Sequence, residues 1–403
     1  DRNITRLCRQ FGISRKTAYK WLKRDSTQEQ SRRPHNSPKQ TGSRTEQQVL
    51  AVRDEHPAWG GRKIARILQR EHGIRIAPST ITSILHRNGR IIHENTHAAH
   101  NWQRFEHPYP DALWQMDFKG HFAPDGGRCH PLTVIDDRSR YNIILRALAN
   151  ERREGVQAAL TEAFRQYGLP DRINTDNGAP WGLLTISLAA VFLAKNTRLP
   201  RQKCSQGVQP CCAFFLAFGH FLLKKPSRKL NANRPWGDSA QGGLTRLAAW
   251  LIRLGIRPGR SRPLHPQTNG KDERFHRSLK AEVLKGRTFG SLVQAQQAFD
   301  SWRHCYNHKR PHEALGLDTP SQHYRSSPRE FPEHLAPVEY PPGDLVRKTD
   351  INGHISLLGR QVRIGKGLVG QTVACRPVPS EDGVYEVYFC FYRLGRIDLN
   401  DFC

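Results

Sequence analysis

Asp117, Asp176 and Glu273 are the acids whose types and positions could do shared chemistry. Asp117 lies inside the strand pattern "WQMDF", Asp176 follows the strand "RINT", and Glu273 falls in the first turn of a helix that starts near Gly270. An acid on a central strand, one at the end of another and one on a facing helix can converge on a point. Carboxylates packed so closely repel one another, so they need a cation. Hard oxygen ligands without His or Cys suit Mg2+ or Mn2+. Two such ions ~3.5–4 Å apart would activate an attacking oxygen and stabilise a leaving one in phosphoryl transfer. Each acid alone also reads as a turn or capping residue, and Asp176 before Asn177-Gly178 is a natural turn.

Positioning three such acids takes a sheet and a covering helix. "LWQMDFKGHF", "HPLTVIDDRSR" and "YNIILRAL" read as strands, "REGVQAALTEAFRQYG" as a helix and "PDRINTDNG" as a strand and turn. The helix "LTRLAAWLIRLG", a short "IRP" strand and a long helix from about Gly270 to Lys285 follow. Three strands, then alternating helix and strand, predict a mixed α/β sheet covered by helices. Beyond Pro337, Gly-punctuated strands predict a separate small β-barrel over 337–403.

Upstream, Ile4 to Arg24 has two helical patterns around a Gly-Ile-Ser turn. Ile4, Leu7, Cys8 and Phe11 form one apolar face, Ser14 can cap the second helix, and Ala18, Trp21 and Leu22 are expected to face inward. Arg15, Lys16, Lys20 and Lys23 are left outside, as in a helix-turn-helix whose second helix enters a major groove. An ordinary αα-hairpin with a solvated basic face would look the same. A basic linker over 26–44 separates this partial unit, 1–25, from a second three-helix unit over 45–92. There Ser79 is expected to cap the last helix, Gly73 and Gly89 sit at helix C-termini, and Arg62 and Lys63 are candidate DNA contacts.

The 63 basic and 36 acidic side chains give a net charge of +27. That excess points to a polyanion, most often nucleic acid. Residues 1–90 alone carry 20 Lys/Arg against 7 Asp/Glu. The nine cysteines lack CxxC spacing, which suits reduced cytosolic thiols better than a zinc site or a disulfide framework. The apolar runs are too short to span a bilayer, so no membrane partner is expected. The chain starts without methionine and inside a helical pattern, which reads as a truncated N-terminus.

"LWQMDFKGHF", "VIDDRSRY", "RINTDNGAPWG" and "RPLHPQTNGKDERFHRSLKAEVL" resemble the DDE catalytic core of bacterial insertion-sequence transposases related to retroviral integrases. The resemblance covers nearly the whole chain. It implies helix-turn-helix units, a ribonuclease-H-like core over 110–335 and the C-terminal β domain. The Asn269-Gly270-x-x-Glu273-Arg274 block carries the family's glutamate onto Glu273, and its two aspartates fall on Asp117 and Asp176. Asp272 competes with Glu273, but one helical step turns it about 100° away. The match puts Asp136 and Asp137 in the next strand, where they would fix the sheet edge and its Arg138 contact. Glu273, Arg277 and Lys280 are spaced i, i+4 and i+7, so the two cations could hold DNA backbone beside the acid. Asn177 and Gln267 are further candidates for positioning DNA.

The resemblance implies metal-dependent cleavage and strand transfer on double-stranded DNA, both element ends and target, with two Mg2+ or Mn2+ ions. It also implies a homo-oligomer, working in the bacterial cytoplasm on the nucleoid. The alternative is a catalytically inactive DNA-binding remnant or a repressor of its own element. The segment 183–237 sets this chain apart: it has nine Lys/Arg, no acid and three of the nine cysteines. "PWG" stands at both of its borders. Such a border reads as a target duplication around a foreign, in-frame insertion, with an insertion subdomain as the other reading. The insertion enters at a loop, where added length costs little closure entropy.

Overall fold

Trp114–Phe118 (β1) is the central strand of a five-stranded sheet. The computed structural model describes residues 3–26, 28, 41–91, 106–124, 127–175, 244–260 and 270–400. Asp176, Asn177, Gln267 and the segment 183–237 lie outside the described residues. The chain forms two compact units, Asp1–Leu50 and Ala51–Cys403.

In the first unit, α1 (Ile4–Gln10) and α2 (Arg15–Leu22) form the expected hairpin. The Ser14 side chain caps α2 by accepting from the Thr17 N–H at 3.1 Å. The expected inward packing is only partly present. Cys8 is buried, but Phe11 is 68% and Leu22 60% exposed, and Trp21 is exposed too. Two helices this short meet along one line and cannot enclose so many large apolar side chains. Arg15, Lys16, Lys20 and Lys23 are all exposed.

Helix α3 is Ser43–Glu55. In the second unit, α4 (Gly61–His72) and α5 (Pro78–Arg87) follow. Ile64, Ile67 and Leu68 of α4 and Ile81, Ile84 and Leu85 of α5 form buried stripes at helical spacing. Gly73 closes α4 in the left-handed region at φ 68°, where a glycine carries no Cβ penalty. Ser79 does not cap α5: Ala77 is the N-cap, Pro78 holds the first helical position, and no side chain caps the end. A proline there presets the helical φ and removes one of the donors that a cap would have to satisfy.

The five-stranded sheet has the order β3-β2-β1-β4-β5. β1, β2 (His130–Asp136) and β3 (Asn142–Leu148) are antiparallel neighbours, while β4 (Arg172–Thr175) and β5 (Arg257–Arg260) run parallel to β1. Strand alternation sorts side chains between two covering layers. Trp114, Met116, Leu132 and Val134 pack with α6 (Arg153–Tyr167) and α7 (Arg246–Arg253). Ile135 and Leu145 pack with Phe275 and Leu279 of α8 (Gly270–Leu279) and Phe299 and Trp302 of α9 (Leu292–His304). The long helix expected to Lys285 ends at Leu279 and passes into a π-turn at Lys280–Leu284.

The C-terminal strands form a four-stranded sheet, β11-β10-β9-β6, and a β7-β8 hairpin. β6 is Leu345–Lys348, β7 His354–Leu357, β8 Arg360–Arg363, β9 Thr372–Pro377, β10 Val384–Phe389 and β11 Tyr392–Asp398. No closed barrel is found among the described residues. Nor is this region separate from the core. Leu357, Leu368, Val387 and Phe389 share one buried cluster with Leu247 and Leu251 of α7. A Cβ at Gly367 would strike the backbone of Leu244, so the two regions meet with no side chain between them.

Candidate active site

Asp117 sits near the end of β1, half-buried, directly across the ladder from Thr133 of β2. Its Oδ1 accepts from the Phe118 N–H at 2.8 Å. β1 also pairs in parallel with β4, and Met116 is abreast of Thr175. The residues immediately before Asp117 and before Asp176 are therefore direct neighbours in the sheet.

Helix α8 lies over this end. Asp272 and Glu273 in its first turn and Arg277 in its last turn match the helix dipole at both ends. Phe275 and Leu279 are buried, and the helical period puts Asp272 and His276 on that same face. Glu273, Arg277 and Lys280 are exposed. Asp272 is fully buried, with Thr133 Oγ1 at 3.0 Å from one carboxylate oxygen and 3.1 Å from the other. Thr133 Oγ1 also lies 3.0 Å from the Asp117 carbonyl and 2.8 Å from His276 Nε2. Its one proton goes to a single acceptor, while His276 can donate to it from Nε2. Burial, with Lys119 nearby, pushes the His276 pKa down to about 3, so the ring is neutral near pH 7.

One ligand-type atom from each of Asp117, Asp272 and His276 lies within 4.8 Å of the other two. Two carboxylates and a neutral imidazole fit a divalent cation. The described structure thus groups Asp117 with Asp272, which the helical-step argument set aside, and with His276. It leaves Glu273 on the exposed face.

Next to this cluster, Lys271 Nζ is 2.5 Å from the buried Asp137 carboxylate. Gln115 Nε2 and the His107 N–H also donate to Asp137, at 2.8 and 3.0 Å. Asp136 accepts from the backbone N–H groups of Asp111 and Ser139, each at 2.7 Å. The two acids fasten the sheet end, as expected, but Arg138 pairs with Glu106 instead. The Lys271–Asp137 pair ties the first turn of α8 to the end of β2. It is a positioning contact that the sequence motifs do not reveal.

Of the proposed DNA contacts in the second unit, Arg62 is exposed and 4.0 Å from Glu313. Lys63 is half-buried, with its pKa pushed down to about 8 by burial and by the nearby Arg310. Both line a cavity of about 440 Å³ with Gly60, Gly61, Ser79 and Glu313. Helix α4 is fixed to the segment after α9 by Arg66–Asp318, at 3.0 Å, and by Arg70 Nη2 donating to the Lys309 carbonyl.

Comparison with known proteins matches the chain domain by domain. Residues 107–199 and 254–320 each match an integrase core domain, residues 344–401 match the IS481 family transposase C-terminal domain, and residues 17–85 match a homeodomain-like domain. An uncharacterized 39.2 kDa protein of the insertion element IS476 from Xanthomonas euvesicatoria is 35% identical over 213 residues, 53% of this chain and 44% of that protein. The chain thus spans less than half the length of that curated relative. Among solved structures, the HTLV-2 integrase catalytic core domain in complex with magnesium aligns over 54% of this chain and 99% of its own, at 16% identity and TM-score 0.31. The simian T-cell lymphotropic virus intasome in complex with PP2A regulatory subunit B56 gamma aligns over 86% and 97%, at 15% identity and TM-score 0.33. Both scores are low, and the assignment rests on the sequence families. With a split integrase core, flanked by a homeodomain-like region and an IS481-type C-terminal domain, the chain is similar, domain by domain, to insertion-sequence transposases of the DDE, integrase-like superfamily.

Proposed function

We propose that the protein cuts and joins double-stranded DNA at the ends of its element, as a DDE transposase whose metal ligands are Asp117, Asp176 and Glu273. The observation that carries this reading is the parallel register Met116–Thr175, at the sheet end that α8 covers. Bound Mg2+ or Mn2+, two ions in this scheme, would supply charge neutralisation at the phosphate and lower the pKa of the attacking hydroxyl. Asp117 and its partner acids would hold that charge in place, and the Lys271–Asp137 pair would fix the helix that brings Glu273.

In the first step the oxygen of water bonds to phosphorus and the bond from phosphorus to the 3′ oxygen breaks. The 3′ oxygen leaves as a hydroxyl and the phosphate stays on the flanking strand. In the second step that hydroxyl attacks a target phosphorus, displaces the target's 3′ oxygen and gives up its proton. Neither step needs a protein nucleophile. Arg15, Lys16, Lys20, Lys23, Arg62, Lys63, Arg277, Lys280, Asn177 and Gln267 are the proposed DNA contacts, with the exposed cations on phosphates. Paired ends imply a homo-oligomer, acting on DNA in the cytoplasm at the nucleoid. Among the described residues no helix is long and apolar enough to cross a membrane.

The test is Mn2+-dependent strand transfer with DNA carrying matched terminal repeats. Joined products made by the wild type and lost in Asp117→Asn support the reading; DNA binding with no joining in any divalent cation refutes it.

A further inference from the structure

The family motif uses the outer face of α8, where Glu273 lies; the inner face carries ligand-type groups of its own. Asp272 and His276 are four residues apart and so lie one above the other on a helix. Both are buried, and their closest ligand atoms are 3.7 Å apart. The third group, Asp117, comes from the sheet, half-buried, with one oxygen inside the same 4.8 Å radius. The elements that hold these groups are packed against one another. Asp117 is on the central strand, Thr133 on its neighbour contacts both α8 side chains, and Phe275 and Leu279 pin the helix between them. The arrangement is preformed and needs no loop to close it.

The donor chemistry selects the ion. Mg2+ demands near-octahedral oxygen coordination and keeps its waters, whereas imidazole suits first-row transition metals. We propose that Asp117, Asp272 and His276 form an inner cation site of mixed oxygen and nitrogen donors that takes Mn2+ or Zn2+ in preference to Mg2+. The site shares Asp117 with the proposed cutting centre and to that extent rests on that reading. It gives α8 two separate contributions, Glu273 outward to DNA-bound ions and the Asp272–His276 pair inward to an ion held by protein alone.

Metal binding to the full chain without DNA tests this, read as loss of the free Mn2+ electron paramagnetic resonance signal, with Mg2+ as competitor. Wild type should bind Mn2+ and need at least about tenfold more Mg2+ to release it. His276→Gln should weaken Mn2+ by about tenfold or more, since altering even a group behind the ligands costs 10–100-fold. Glu273→Gln should leave this binding in place. Circular dichroism checks folding, and if Asp272→Asn does not fold, His276→Gln still decides. Wild-type Mn2+ affinity in a folded His276→Gln overturns the inner site. If Asp117→Asn and Glu273→Gln then lose Mn2+, the cutting centre stands without it; if Asp117→Asn also binds as wild type, both readings fall.

Discussion

Met116 of β1 and Thr175 of β4 lie side by side in parallel strands. Each is followed in the chain by an aspartate, and helix α8 covers the same end of the sheet on the Thr133 side. In the function proposed above, the two acids that follow would share metal ions in phosphoryl transfer.

Salt should weaken DNA binding steeply, because the basic residues of α2 are all exposed. Counterion release gives a slope of about 0.9 in log affinity per phosphate contact. Replacing Lys16 and Lys20 with alanine should therefore lower the slope by roughly 1.8 if each meets one phosphate. An affinity-versus-salt series that is identical for the double variant would remove α2 from the DNA interface.

Acid should destabilise the fold through His312. Burial, with Arg310 adding to it, pushes its pKa down to about 3, so from pH 6.5 downward the unfolded chain binds a proton that the folded chain does not. Stability is lost as pH falls through that window, by about 2 kcal/mol at pH 5 from this residue. Asp111, pushed up to about 7 by burial, acts in the opposite sense, since its folded form takes up a proton first. The measurement is therefore a difference: between pH 7 and pH 5, His312→Gln should lose less stability than wild type in denaturant titrations. Equal losses would show that His312 is protonated in the fold.

Gly367→Ala should destabilise the whole second unit. Its Cβ would meet the Leu244 backbone, which cannot swing aside as a side chain can. Overpacking of this kind costs about 1–3 kcal/mol. Chemical denaturation should show one transition at lower denaturant. A separate early transition of the C-terminal strands, with the core unchanged, would mean that they form an independent domain.

Removing residues 183–237 should leave a folded chain. The elements flanking the segment are already packed together: β4 pairs with β5, and Ile173 shares a buried cluster with Leu247. A melting curve for the shortened chain should keep its midpoint. Loss of the transition would make the segment part of the core.

Much of this was legible in the sequence, because strand runs, caps and glycines act locally. "WQMDF" and "RINT" read as strands without help, and Ser14 announced the start of α2. What the sequence hid depends on packing. Asp272, Phe275, His276 and Leu279 follow the helical period, yet two of the four are polar, so the stripe did not read as a buried face. Glu273, Arg277 and Lys280 formed the more visible pattern, and it turned out to be the exposed side. The π-turn after Leu279 and the joining of the C-terminal strands to α7 are likewise tertiary outcomes. The Ser79 cap failed because Pro78 had already fixed the helix start.

The central claim, a metal-dependent DNA-joining centre built on Asp117, is tested most directly by strand transfer in Mn2+ with Asp117→Asn and Asp176→Asn beside wild type. An amide is neutral and a poor ligand for a hard cation, while the phosphate contacts lie elsewhere. Both variants should lose joining by more than about a hundredfold, the upper end of the cost of disturbing a group behind a ligand. Their binding to terminal DNA should stay within about threefold of wild type, because phosphate contacts carry most of that affinity. Joining at the wild-type rate in either folded variant would contradict the account.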